Sequence, residues 1–257
     1  MKVTVCELRN DPDTLEQDWR SLLAHVQAEA SDLVLLPEMP FYPWVAQTRQ
    51  VDLAVWRASV EAHERWLARL PELAPAIVIG TRPILQGEKR LNEGFIWKET
   101  SGYRAAHTKY YLPDEDRFWE ASWYQRGDGE FSPQQIDGVQ IGFQICTEIW
   151  FTQHAREYGK RGVHLLVCPR ATPASSVPKW IAGGQTVAAV SGAFCLSSNI
   201  GGVNEGGLKW GGSGWIIEPE EGEVLGITSQ EAPFLTRDID LTVAEAAKHT
   251  YPRYVPD

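Results

Sequence analysis

Apolar, strand-like runs alternate with helix-like stretches at the start of this 257-residue chain, and the same alternation resumes after Gly138. KVTVCELR, DLVLLPE and AIVIGTRPI read as strands, with helices predicted over 13–30 and 51–70 between them. In the second half VQIGFQIC, HLLVCPR and AFCLSSN are the strands, and helices are predicted over 152–161 and 178–191. This order calls for an α/β layer architecture, in which each apolar run joins a sheet and each amphipathic stretch covers a face. NEGFIWKE and GYRAAHTKYYL are separated only by the turn at Thr100-Ser101-Gly102, so the sheet is expected to be mixed. Two sets of strands, each with its own pair of helices, suggest two sheets packed face to face with helices outside. A single doubly wound sheet fits the pattern nearly as well.

Gly201, Gly202, Gly206, Gly207, Gly211, Gly212 and Gly214 crowd one segment. With Asn204, Lys209 and Trp210 among them they describe a tight irregular loop, followed by GWIIEPE and VLGIT joined at a Glu-Glu-Gly turn. A phosphate loop is excluded, because no GxxxxGK[ST] and no strand-GxGxxG-helix context is present.

At 43% hydrophobic residues the chain can bury a full core, and with neither a long linker nor a repeat it reads as one domain over 1–257, with 249–257 as a C-terminal tail. A net charge of -10 leaves no cationic excess to replace counterions, which argues against nucleic acid as a partner. No apolar stretch reaches membrane-spanning length, and Met1-Lys2-Val3-Thr4-Val5 opens directly into a strand pattern, so a cytoplasmic protein with no membrane partner is expected. Cys6, Cys146, Cys168 and Cys195 are too few and scattered for a disulfide scaffold, and reduced thiols are expected. No metal-ligand spacing links them to the histidines, so neither a metal nor another cofactor is expected.

Three ionisable residues each follow an apolar strand-like run: Glu38 after DLVLLP, Lys109 after YRAAHT and Cys146 after VQIGFQI. Strand ends in α/β sheets are where distant parts of a chain converge on one pocket. A thiol titrates near ~8.5 and must lose its proton before attacking a carbonyl. Glu38 suits the proton acceptor, and a cationic Lys109 favours the thiolate and faces the developing oxyanion together with the N–H of Thr147. A second carboxylate beside the lysine would hold its position and charge.

PEMPF around Glu38, HTKYYLPDEDRFWE around Lys109 and GFQICTEIWF around Cys146 resemble, in order, the three catalytic blocks of the nitrilase superfamily of carbon-nitrogen hydrolases. YQRGDGEF, CLSSNIGG and GGSGWIIEPEEGEVLG resemble further elements of that family, so the likeness covers nearly the whole chain. The resemblance implies Glu38 as general base, Lys109 as the oxyanion-stabilising cation and Cys146 as nucleophile. It implies a second active-site glutamate at Glu120, with Glu115 the competing choice. It also implies a four-layer αββα sandwich of two mixed sheets, and a homodimer or larger homo-oligomer paired through a helical face. The expected activity is hydrolysis of a small amide or N-carbamoyl compound through a cysteine thioester. Nitrile hydrolysis is the alternative within enzymes, and a catalytically silent binding or scaffold member is the alternative from another class. Thr147-Glu148 departs from the Trp-Asp or Asn-Asp that often follows the cysteine in amidases and carbamoylases.

Further positions bear on substrate binding or on the support of the site. Glu148 either supports the site or complements a helix N-terminus as an exposed first-turn acid. The planar fork of Arg170 suits a substrate carboxylate as well as a salt bridge to a neighbouring loop. Trp150, with Trp119, Trp123 and Trp180, offers aromatic walls to a substrate or packing to the core or a subunit interface. His107 is expected to be a structural residue with a neutral imidazole.

Overall fold

In the computed structural model, which describes residues 1–204 and 206–256, two mixed sheets stack face to face. The first runs β5 (Gly102–Thr108), β4 (Lys89–Lys98), β3 (Ile77–Gln86), β2 (Leu33–Leu35), β1 (Lys2–Leu8) and β12 (Phe234–Asp238). The second runs β6 (Gln134–Ile136), β7 (Val139–Phe143), β8 (Leu165–Arg170), β9 (Phe194–Ile200), β10 (Trp215–Ile217) and β11 (Val224–Ile227). β1, β2 and β3 are parallel, as are β7, β8 and β9, while the outer strands of each sheet pair antiparallel. The sheets are joined where β1 and β9 pair, Glu7 with Asn199 and Leu8 with Ile200.

The period-two alternation of the central strands builds three apolar layers. Val3, Val5, Leu33 and Leu35 face Ile141, Phe143, Leu165 and Val167 between the sheets. The alternate residues Val34, Leu36 and Val78 turn outward under Trp19 and Leu22 of α1 (Pro12–Glu29), with α2 (Leu53–Leu67) on the same side. Leu166 and Cys195 turn outward under Tyr158 of α4 (Thr152–Lys160) and Val187 of α5 (Val177–Ser191). Helix, sheet, sheet and helix layers make the expected αββα sandwich, and the single doubly wound sheet is set aside. Local signals fix the helix ends. Asp11 and Asp52 cap α1 and α2 by accepting backbone N–H bonds, and α5 stops at Gly192, whose φ of 61° suits glycine.

Several elements were not apparent in the sequence: β6, β12, the one-turn helix α3 (Glu120–Trp123) and α6 (Leu241–Ala247). After Cys146 the chain forms a 3-10 turn over Cys146–Trp150 before α4 begins at Thr152. The chain beyond α6 is tied down: Arg253 donates to Ala247 O and Ala189 O, and Lys248 donates to Val163 O, Ser191 O and Gly192 O. Among the described residues, no helix is long and apolar enough to cross a membrane.

Candidate active site

Glu38 sits in the bend that follows β2. Its N–H donates to Arg170 O at 3.2 Å, and the next residue, Met39, takes a left-handed backbone (φ 45°) while its N–H donates to Thr81 Oγ1 at 2.8 Å. The bend is held from behind by His63, whose Nδ1 donates to Ser59 O and whose Nε2 accepts the Phe41 N–H. Burial lowers His63 to about 4, which keeps Nε2 free to accept.

Lys109 follows β5 directly. Its N–H donates to Asn92 O and its carbonyl accepts the Gly127 N–H, both at 2.9 Å. A Cβ at residue 127 would lie 2.3 Å from Thr108 O, so the GD of YQRGDGEF has glycine because the chain passes hard against the lysine segment. Glu120 opens α3, whose Ala121 N–H donates to Pro113 O. Cys146 stands three residues past β7 with φ 49°, a conformation that costs a non-glycine residue about 1–3 kcal/mol.

These segments bring two acids, an amine and a thiol together out of solvent. Lys109 Nζ lies 2.7 Å from Glu38 Oε1 and 2.6 Å from Glu120 Oε2, all three side chains being 0 to 1% exposed. Asn92 Nδ2 donates to the same Glu38 Oε1 at 2.8 Å. Glu38 Oε2 is buried and has no partner among the described residues. Burial works against the Lys109 ammonium, yet Glu120 and Glu38 outweigh it and hold the amine protonated. Burial pushes the Glu120 carboxyl up to about 7, with Lys109 opposing and Glu38 adding to the rise. The Cys146 thiol is raised well above its ordinary range, by burial first and then by Glu38, with Lys109 opposing. It rests as a thiol and needs a base to become a nucleophile.

Glu148 ties the lysine and cysteine segments to each other. Its Oε1 accepts the Tyr110 N–H at 2.7 Å, and its Oε2 accepts the Ile145 N–H and His107 Nε2, each at 2.8 Å. It is fully buried, which removes the exposed first-turn reading. The surroundings of His107 favour an imidazolium over the expected neutral ring. Nε2 meets a carboxylate and Nδ1 meets Glu130 O, so both nitrogens must donate, and the Glu148 charge overcomes burial to raise its pKa.

The remaining candidates fall out differently. Thr147 is half-buried beside Cys146, and no described residue accepts its backbone N–H. Glu115 is exposed, whereas Glu120 meets the lysine. Arg170 is not an open carboxylate clamp: it is fully buried, its guanidinium lies 3.9 Å over Trp215, and it donates to Ser197 Oγ, Thr172 Oγ1 and Ser213 O. Trp150 is 37% exposed and packs on Trp180 and over Gly183 of α5. Trp123 and Trp119 do pack near the acids, in a cluster with Trp44, Tyr124 and Trp210. Sequence reasoning missed Asn92, His63 and Tyr124, whose buried hydroxyl is held protonated by burial and by the neighbouring Glu120 and Glu38 charges. The available signal for Asn92 was a polar residue opening the apolar run NEGFIW. Among the described residues, no group of three or more His, Cys, Asp or Glu is placed to hold a metal ion.

The αββα sandwich with a buried acid, amine and thiol at its strand ends places the chain in the nitrilase superfamily, and the comparisons agree. The family model described as carbon-nitrogen hydrolase matches residues 2–249, and the chain belongs to that family. It is 26% identical to the chloroplastic omega-amidase of Arabidopsis thaliana over 251 residues, covering 91% of this chain and 65% of that protein's length. A carbon-nitrogen hydrolase from Helicobacter pylori G27 superposes with a TM-score of 0.88 at 20% identity, covering 98% of this chain and 94% of that one. A mutant amidase from Nesterenkonia sp. AN1, carrying the acetamide moiety of fluoroacetamide covalently added at its active-site cysteine, superposes with a TM-score of 0.77 at 20% identity, over 95% of this chain and 92% of that one.

Proposed function

We propose that the chain hydrolyses the C–N bond of a small amide or N-carbamoyl compound through a thioester on Cys146. The observation that carries this reading is the asymmetry of Glu38: Lys109 and Asn92 pin Oε1, while Oε2 is buried and has no partner among the described residues. An orientated carboxylate oxygen with nothing bonded to it is what a raised, neutral thiol requires as base. Glu38 Oε2 takes the Sγ proton as sulfur attacks the carbonyl carbon, and Lys109 with the Thr147 N–H receives the oxyanion. The C–N bond breaks and the nitrogen leaves with the proton from Glu38. Water then gives a proton to Glu38 and its oxygen to the acyl carbon, the C–S bond breaks, and the thiol recovers its proton. Glu120 orients Lys109 and keeps it cationic throughout. The omega-amidase and amidase likenesses support an amide over a nitrile as substrate.

Ammonia release from a panel of small primary amides, N-carbamoyl amines and the matching nitriles tests the proposal. Wild type is expected to turn over amides or carbamoyl compounds faster than nitriles, and Cys146→Ala to lose at least about a thousandfold in rate with an unchanged melting temperature. Equal ammonia release from that variant overturns the thioester route.

A further inference from the structure

A cavity of about 760 Å³ opens beside the glycine-rich segment and is lined by Glu7, Arg9, Asn10, Gly201, Gly212 and Trp210, among others, but by none of Glu38, Lys109, Glu120 or Cys146. We propose that it is a second ligand site, which binds a small organic ammonium through Glu7 Oε2.

Glu7, at the end of β1, is 7% exposed. One oxygen is fixed: Oε1 accepts the Ser213 N–H at 2.8 Å and the Thr228 hydroxyl at 2.7 Å. No described residue donates to Oε2. The backbone on either side is stripped to glycine around that oxygen, since a Cβ on Gly212 (φ 50°) would lie 2.1 Å from Oε2 and one on Gly201 3.3 Å away. The missing side chains make room for the carboxylate itself at the cavity wall, and an oxygen that no described residue donates to calls for a donor and not an anion.

The charge of neighbouring groups fits this. Burial raises the Glu7 carboxyl above its ordinary range, opposed by the Thr228 and Ser213 hydrogen bonds and then by Arg170, whose guanidinium is itself committed to Ser197, Thr172 and Ser213 O. Arg9, on the wall, is bound to Asp18. Lys209 also lines the cavity and is exposed to solvent. Trp210, with Pro43, Val177 and Ala174, gives the cavity apolar surface for the organic part and a ring for the cation. The volume lies within the range of about 300–1,000 Å³ found for small-molecule sites and far exceeds the roughly 30 Å³ of one water.

Calorimetric titration of the full chain with benzylammonium, beside its neutral analogue benzyl alcohol, tests the site. Benzylammonium is expected to bind one-to-one, roughly tenfold or more tighter than the alcohol, and to lose that margin in Glu7→Gln. Ala174→Trp, which fills the cavity without touching the Glu7 bonds, is expected to abolish binding and decides the matter should Glu7→Gln fail to fold. Cys146→Ala is expected to bind as wild type does. Absence of saturation up to about 20 mM, equal affinity for the alcohol, undiminished binding in folded Glu7→Gln or in Ala174→Trp, or loss of binding in Cys146→Ala would each overturn the proposal. None of these results depends on amide turnover.

Discussion

Glu120 Oε2 lies 2.6 Å from Lys109 Nζ, and neither side chain is open to solvent. Since Lys109 also meets Glu38, one ammonium serves two carboxylates, and burial leaves Glu120 titrating at about 7. Only the ionised form of Glu120 pulls on the amine. The rate kcat/KM is therefore expected to rise with pH through about 7 in wild type. Glu120→Gln is expected to lose that limb and roughly a hundredfold in kcat/KM. A pH-rate profile of both proteins checks this, and an unchanged limb in the variant would remove Glu120 from the account.

The bridge made by Glu148 carries a stability prediction. Replacing it by Gln leaves the His107 imidazolium buried without its counter-charge, in a contact where both side chains are at most 2% exposed. Breaking one half of such a pair is expected to cost about 3–5 kcal/mol. Urea unfolding of Glu148→Gln measures it, and activity should fall too because Tyr110 and Ile145 lose a shared anchor. A variant as stable as wild type would mean that His107 is neutral.

His63 should make the fold sensitive to acid. Its pKa is about 4 in the folded chain against an ordinary value of 6.5, so the unfolded chain binds the proton first as pH falls. Stability from this group is complete above 6.5 and is lost progressively toward 4, by up to about 3 kcal/mol. Denaturant unfolding of wild type and His63→Gln between these pH values should give a steeper acid loss for wild type. Parallel curves would contradict the buried neutral assignment.

What the sequence made legible was whatever has a strong local signature. The helices over 13–30 and 152–161 end within a residue of those observed, because Asp11 marks the start of the first and the flanking strand-like runs bound the second. β12 was hidden because its residues are half-buried or exposed and carry no clean apolar alternation. Glu38, Lys109 and Cys146 were singled out by their place after apolar strands, but how Asn92 meets Glu38 and Glu148 meets Tyr110 depends on partners 54 and 38 residues away, which no local pattern reports. Arg170 illustrates the opposite error: its position after a strand looked open, yet β9 and the Ser213 loop close over it and take its donors.

The most direct measurement is mass spectrometry of the wild-type chain quenched during turnover of a small primary amide. The account predicts a transient mass gain equal to the acyl group on the peptide containing Cys146, decaying as acid accumulates. Continued turnover with that peptide unmodified, or an adduct confined to Cys168 or Cys195, would contradict it.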